Sequence, residues 1–304
     1  MKPLFIIGCP RSGTTYLLRL LASNQNFAWI SNELNSDPTN YACSSKLKEY
    51  SKFYFGKKLY ANNAFGSKEL PFSVEPWLFW NAHFDFFQWN KNFGEVPSNA
   101  TPDNNSKESI QKVRKAISEI LKYSGRNIFL SKYTDFPRVK LIKEAFPDAR
   151  FIHLVRDGRA VANSYYKKIQ TGEFNTSKEE GNWVSAWPNE WQDQYASIQN
   201  KPLAFTLFQW KFFVSEINQE LAQIEKNDVI HVKYSDLVKD TLGVTKKILS
   251  FADVPMDKGM KYFIKNLPGS DMNYKWKEKL TSEEKDLYSE ILADGNYIPY
   301  LDEE

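Results

Sequence analysis

The sequence predicts an α/β fold in which a central parallel sheet is flanked by helices. Three observations carry that expectation. Short apolar runs end at glycine or charged residues, stretches of helical apolar spacing lie between them, and the two alternate along most of the 304 residues. Apolar runs without polar alternation suit strands covered on both faces, and strands separated by helices pair in parallel.

The elements follow in order. Leu4–Ile7 is a short apolar run closed by Gly8. Thr14–Ala22 places Leu17, Leu18 and Leu21 at helical spacing. Phe27–Ile30 and Asn127–Leu130 are the second and third strands, and Arg138–Phe146 is a helix with Val139, Ile142 and Phe146 on one face. Phe151–Val155 is the clearest buried strand, and Gly158–Lys168 follows it as a helix. Val229–Val232 and Leu237–Phe251 complete the series as strand and helix. Ligands in such sheets bind beyond the carboxyl ends of the strands, so the chemistry is expected just after Ile7, Ile30, Leu130 and Val155.

Composition narrows the function classes. With 42% hydrophobic and 25% charged residues the chain is globular, and its length buries a core without staples. Two cysteines, Cys9 and Cys43, exclude a disulfide framework and a cysteine zinc site. A net charge of +3 is too weak to imply nucleic acid but is compatible with a small anionic ligand. The opening apolar run is shorter than a signal peptide requires, and no stretch reaches the length of a membrane span. The expectation is a single cytoplasmic domain over residues 1–304, with no nucleic-acid or membrane partner. Glu95–Lys107 reads as a surface loop.

The first loop carries the strongest motif. Gly8-Cys9-Pro10-Arg11-Ser12-Gly13-Thr14-Thr15 joins a strand to a helix at the spacing of a P-loop, with Thr14 where the lysine would stand. The fold expectation sharpens to a P-loop NTPase-like sheet. Gly8 and Gly13 allow the tight turn that aims backbone N–H groups at an anion, and the helix N-terminus adds positive potential. Thr14 and Thr15 offer hydroxyls, and Arg11 supplies a forked cation suited to a phosphate or sulfate oxygen. Without the lysine, the loop fits a 5′-phosphate better than a triphosphate.

A second cluster follows Phe151–Val155. Arg156 stands at the strand end, and Ser164 lies eight residues on, about two helical turns along. An arginine and a hydroxyl there suit a second phosphate, with Lys168 on the same helical face as Ser164. The alternative is a strand-end arginine paired with Asp157 or Glu144.

Together these motifs resemble the sulfotransferases that use 3′-phosphoadenosine 5′-phosphosulfate (PAPS), in their tyrosylprotein and bacterial branches. Pro10-Arg11-Ser12-Gly13-Thr14-Thr15 resembles the family's 5′-phosphosulfate loop, and Arg156 with Ser164 resembles its 3′-phosphate site. Val232-Lys233-Tyr234-Ser235-Asp236-Leu237 is similar to a strand-end Y-E-D-L segment, with Ser235 in the glutamate's place. Tyr274-Lys275-Trp276 resembles a lysine–tryptophan element near the 3′-phosphate. The resemblance implies sulfuryl transfer without a metal, with 3′,5′-bisphosphoadenosine as the product. It implies cofactor contacts from Arg11, Ser12, Gly13, Thr14, Thr15, Arg156, Ser164, Lys168, Tyr234 and Lys275.

Sulfuryl transfer needs a base for the acceptor proton and positive charge on the leaving oxygen. Glu33, after the second strand, matches the catalytic glutamate of the tyrosylprotein branch in its distance from the loop. The ends of the first two strands of a βαβ unit are expected to be neighbours, which brings Glu33 to the loop. His83 is the rival base, although its aromatic surroundings suit a packed histidine, and His153 and His231 lie inside strands as core. Arg11 and Lys132 are the leaving-group cations. Lys132 follows the third strand and resembles the family's K-T-x-x-P lysine, with Tyr133 intervening before Thr134 and Pro137 one residue late. The competing readings are a P-loop kinase or NTPase, which the missing lysine and the absence of an acidic strand end disfavour, and a non-catalytic nucleotide-binding protein.

Aromatic residues reach 15% of the chain and gather in two stretches outside these motifs. One spans Tyr41–Phe93 and the other Gly172–Ala204, within insertions expected over about residues 41–125 and 170–204. Trp183, Trp187 and Trp191 recur at helical spacing, interrupted or begun by Pro188. Such faces can stack on sugars or aryl groups, so both stretches are expected to line the cleft for an acceptor: a glycan, a peptide or a small hydroxylated molecule.

Overall fold

The computed structural model describes residues 2–48, 75–84, 107–134, 138–172, 184, 185, 187–198, 201–266, 272–293 and 295–302. Its centre is a five-stranded, wholly parallel sheet in the order β2-β3-β1-β4-β5. The strands are β1 (Leu4–Ile7), β2 (Phe27–Trp29), β3 (Ile128–Tyr133), β4 (Arg150–Val155) and β5 (Val229–Lys233). The central strand β1 is buried along its whole length, as an apolar run covered on both faces requires. Phe5 is its anchor, with its ring among those of Trp80, Phe129, Tyr133, Phe146 and Phe151.

Helices α1 (Thr14–Ala22), α2 (Asn32–Ser36), α3 (Trp77–His83), α4 (Lys107–Ser124) and α5 (Val139–Ala145) belong to the half of the sheet formed by β2, β3 and β1. Leu17, Leu18, Leu20 and Leu21 bury the inner face of α1. Helix α6 (Gly158–Gln170) leaves β4 and packs along the long helix α8 (Pro202–Leu221), with the short α7 (Asn189–Ser197) between them in sequence. Beyond β5 come α9 (Tyr234–Lys239), α10 (Thr241–Phe251), α11 (Lys258–Lys265), α12 (Lys275–Lys279) and α13 (Ser282–Ile291). A second apolar cluster joins α6, α8 and α13 around Trp187, Phe208, Trp210 and Tyr288. Among the described residues, no helix is long and apolar enough to cross a membrane.

Four expectations are corrected. The third strand does not stop at Leu130. It runs to Tyr133, because Ser131, Lys132 and Tyr133 continue the register opposite Phe5, Ile6 and Ile7. Lys132 therefore stands inside β3. The ends of β1 and β2 are not neighbours, because β3 is inserted between them. The helix foreseen over Leu237–Phe251 is two helices, broken at Asp240, whose carboxylate accepts from the N–H of Gly243 and caps α10. His231 is exposed on the edge strand β5 rather than in the core, although His153 beside it on β4 is buried.

The tryptophan stripe is also replaced. Trp183 lies outside the described residues, and Pro188 caps α7, so Trp187 precedes the helix that carries Trp191. Trp187 packs among Tyr195, Phe205 and Phe208. Phe79, Trp80, Phe84, Trp187 and Tyr195 are all buried core residues, where they had been expected to line a cleft. Residues 49–74 and 85–106, which hold most of the first aromatic stretch and nearly all of the expected surface loop, lie outside the described residues.

Candidate active site

The loop between β1 and α1 folds as a cradle. Arg11 and Gly13 both adopt the left-handed region, with φ of 69° and 91°. The Ser12 N–H donates to the Cys9 carbonyl at 3.1 Å. A left-handed arginine costs roughly 1–2 kcal/mol, and such outliers concentrate where the backbone is shaped for a ligand. Gly13 has a second reason to lack a side chain: a Cβ there would lie 2.6 Å from the ring of Tyr234. Burial pushes the Cys9 thiol up, which leaves it unreactive within the loop.

Two groups of residues predicted separately converge here. Arg11 Nε donates to Ser164 Oγ at 3.1 Å, joining the loop to the second turn of α6. Arg156 donates through one terminal nitrogen to the Arg11 carbonyl at 2.8 Å, and its guanidinium lies 4.6 Å over the Tyr234 ring that opens α9. Its other nitrogens donate to Asn273 Oδ1 (2.9 Å) and the Met272 carbonyl (2.8 Å). Asp157 is not its partner. That carboxylate caps α6 and pairs with Arg159. Lys168 is half-buried one turn beyond Ser164, and Lys275 is exposed at the start of α12, two residues after Asn273. Trp276 lies under the Arg159 guanidinium, 4.5 Å away, and belongs to the core.

The ammonium missing from position 14 enters from the neighbouring strand. Lys132 Nζ donates to Thr15 Oγ1 at 2.9 Å, at the start of α1. Its counter-ion is Glu75, at 3.0 Å, whose other oxygen accepts from Thr134 Oγ1. Lys132 is 4% exposed and Glu75 29%, so the pair faces outward through the carboxylate. Glu75 was not singled out from the sequence. It sits just before Pro76, with no local pattern to mark it.

Glu33 occupies the first turn of α2, capped by the Ser31 hydroxyl. Its Oε1 pairs with Lys46 at 2.8 Å, and the hydrogen bond raises the lysine's pKa. Its Oε2 is buried and has no hydrogen-bond partner among the described residues. With β3 between β1 and β2, Glu33 lies one strand further from the loop than expected, and Lys132 and Glu75 stand on the intervening strand's side. His83 is a packed histidine. The Phe79 carbonyl 2.7 Å from its Nδ1 can only accept, so Nδ1 carries the proton and Nε2 accepts from Tyr41. Burial lowers its pKa.

The arrangement can hold an anion at the loop and a second one near Arg156. Ser12 supports the first: its hydroxyl is buried and has no hydrogen-bond partner among the described residues, so the loop fits a phosphate or sulfate group. The sequence model of the sulfotransferase family matches residues 3–258.

The chain belongs to the sulfotransferase family. Among curated proteins, none matches it. Among solved structures, a sulfotransferase of Mycobacterium avium superposes with a TM-score of 0.59 at 17% identity, covering 96% of this chain and 76% of that one. A sulfotransferase of Mycobacterium tuberculosis H37Rv gives 0.58 at 17% identity, with the same coverages of 96% and 76%. The sulfotransferase domain from the curacin biosynthetic pathway gives 0.50 at 17% identity, covering 95% and 97%. At that identity these are likenesses of fold. Asn273 of this sulfotransferase stands just before Tyr274-Lys275-Trp276, a segment the sequence does mark, and its contact to Arg156 explains why that segment returns to the sheet edge.

Proposed function

We propose that this sulfotransferase moves the sulfuryl group of PAPS to a hydroxyl or amine of its acceptor by in-line transfer. The observation that carries the reading is the Arg11–Ser164 contact, which joins two anion-binding clusters from different strand ends into one site. The cradle Ser12–Thr15 suits the 5′-phosphosulfate, and Arg156, Ser164, Tyr234, Lys168 and Lys275 suit the nucleoside and its 3′-phosphate. PAPS, when bound, supplies an activated sulfate whose departure leaves charge on a phosphate oxygen. Arg11 and Lys132 are the cations for that charge.

Glu33 is the proposed base. Its buried Oε2, without a hydrogen-bond partner among the described residues, can take the acceptor proton while Lys46 holds Oε1. The acceptor then enters beyond the carboxyl ends of β2 and β3, between Glu33 and the loop. A glycan, a peptide and a small hydroxylated molecule each fit that description.

Thermal melts test the nucleotide reading. 3′,5′-Bisphosphoadenosine is expected to raise the melting temperature and ATP with Mg²⁺ to leave it unchanged. The reverse result points to a P-loop kinase or NTPase. Incubation with labelled PAPS and pooled acceptors then identifies the product, and label transfer to no acceptor would argue for a binding protein without turnover.

A further inference from the structure

We infer that Asp302 and Asn273 are positioning residues that hold Arg156 in its anion-binding orientation. The inference rests on the proposal that Arg156 meets the 3′-phosphate. Neither residue falls within the part of the chain that the family match covers.

The chain of contacts is continuous. Asp302 is docked through its backbone onto the start of α6: its N–H donates to Asp157 at 3.1 Å, and its carbonyl accepts from Arg159 at 2.9 Å. Its side chain is thereby aimed elsewhere. Oδ1 accepts from Ser235 Oγ at 2.6 Å, and Oδ2 accepts from Asn273 Nδ2. A carboxylate can only accept, so it turns the amide of Asn273 one way, with the nitrogen toward Asp302 and the oxygen toward Arg156 Nε. Asn273 is 1% exposed, so water does not substitute for either bond. The Met272 carbonyl adds a second acceptor from the same segment. An arginine side chain loses rotamer freedom when it is fixed in one place. Fixing Arg156 before the anion arrives removes that cost from binding.

The arrangement also keeps negative charge at one remove. The neutral amide of Asn273 stands between the Asp302 carboxylate and the guanidinium, so Asp302 orients Arg156 through the amide rather than by pairing with it directly.

The experiment compares two probes by titration calorimetry: 3′,5′-bisphosphoadenosine and AMP, which lacks the 3′-phosphate. Asn273→Ala and Asp302→Ala are each expected to weaken the bisphosphate by about threefold to tenfold, the loss of one hydrogen bond, and to leave AMP unchanged. Their double variant is expected to lose no more than the larger single, because both act through Arg156. Asp302→Asn is expected to restore affinity, since its amide oxygen still accepts from Asn273 and its nitrogen can donate to Ser235 Oγ. Equal weakening of both probes shows a merely structural role and overturns the inference, as does no change in either. Arg156→Ala separates the two levels. If it discriminates between the probes and the Asn273 variant does not, the positioning role fails alone. If Arg156→Ala does not discriminate, the 3′-phosphate reading fails and the inference with it.

Discussion

Arg11 Nε and Ser164 Oγ, 153 residues apart in sequence, lie 3.1 Å apart in the fold. The contact ties a loop residue held at positive φ to a helix that starts from another strand. Arg11→Ala and Ser164→Ala are each expected to weaken 3′,5′-bisphosphoadenosine binding by about tenfold to a hundredfold, as loss of a charge-assisted contact does. In a double-mutant cycle read by calorimetry, the two should couple by about 0.5–3 kcal/mol. Strict additivity would mean that the two residues serve separate subsites.

Glu33→Gln keeps the shape of the side chain and removes its basicity. The expected result is a fall in kcat of roughly 10²–10⁴, with PAPS affinity unchanged, measured by a sulfate-transfer assay beside calorimetry. A fully active variant would remove Glu33 as the base.

Glu75→Ala strips the buried Lys132 ammonium, 4% exposed, of its counter-ion. The variant is expected to lose about 1–3 kcal/mol of stability in urea denaturation. Adding Lys132→Met should return part of that loss, because the uncompensated ammonium is then gone too. A double variant less stable than Glu75→Ala would show that Lys132 has other adequate partners.

Gly13→Ala combines two costs, and Gly172→Ala separates them. Both positions have positive φ, 91° and 72°, but only at Gly13 would a Cβ strike a ring, while Gly172 faces open space. Gly172→Ala is expected to cost only the left-handed penalty of about 1–2 kcal/mol. Gly13→Ala should cost more and also weaken bisphosphate binding, because displacing Tyr234 disturbs the guanidinium of Arg156 above it. Thermal melts and calorimetry read the two effects; equal destabilisation would show that the ring yields freely.

Acid should destabilise the sheet through His153. Burial, with the charge of His231 added, lowers its pKa to about 3, and its Nδ1 lies 3.1 Å from that of His231. Below the unfolded value of about 6.5, the unfolded chain takes up a proton that the native state refuses. Stability is then expected to fall as pH drops from about 6.5 toward 3, by at most about 1.4 kcal/mol per pH unit from this residue, and to be flat in this term above that window. His153→Gln should reduce the slope seen by denaturation at pH 7, 6 and 5, with a remainder from His83, which burial also depresses. An unchanged slope would assign the acid sensitivity elsewhere.

The parts of this molecule that could be read from sequence are those written in adjacent residues. Leu4–Ile7 and Thr14–Ala22 have the bounds that the structure shows, because apolar content and helical spacing are local signals. Gly8–Thr15 and the Arg156–Ser164 interval were legible for the same reason. The end of β3 was not, because Ser131 and Lys132 are polar residues buried by pairing with β1, which no single-strand pattern reports. Strand order was not legible either, since periodicity marks strands without naming their neighbours. Glu75, Asn273 and Asp302 owe their importance to partners 57, 117 and 29 residues away. Aromatic excess pointed toward a cleft, whereas Phe79, Trp80, Trp187 and Tyr195 fill the core, as large apolar side chains do by default.

The placement of β3 between β2 and β1 has a consequence for how this enzyme could be rebuilt. Loop Gly8–Thr15, Arg156, Ser164 and Tyr234 follow β1, β4 and β5, whereas Glu33 follows β2 and Lys132, paired with Glu75, lies within β3. Under the proposed function, the seam between β1 and β3 separates the nucleotide-binding residues from the proposed base Glu33, with Lys132 bridging the two through its hydrogen bond to Thr15. Grafts that exchange the loops after β2 and β3 between homologues could alter what is sulfated while leaving the nucleotide half of the sheet untouched.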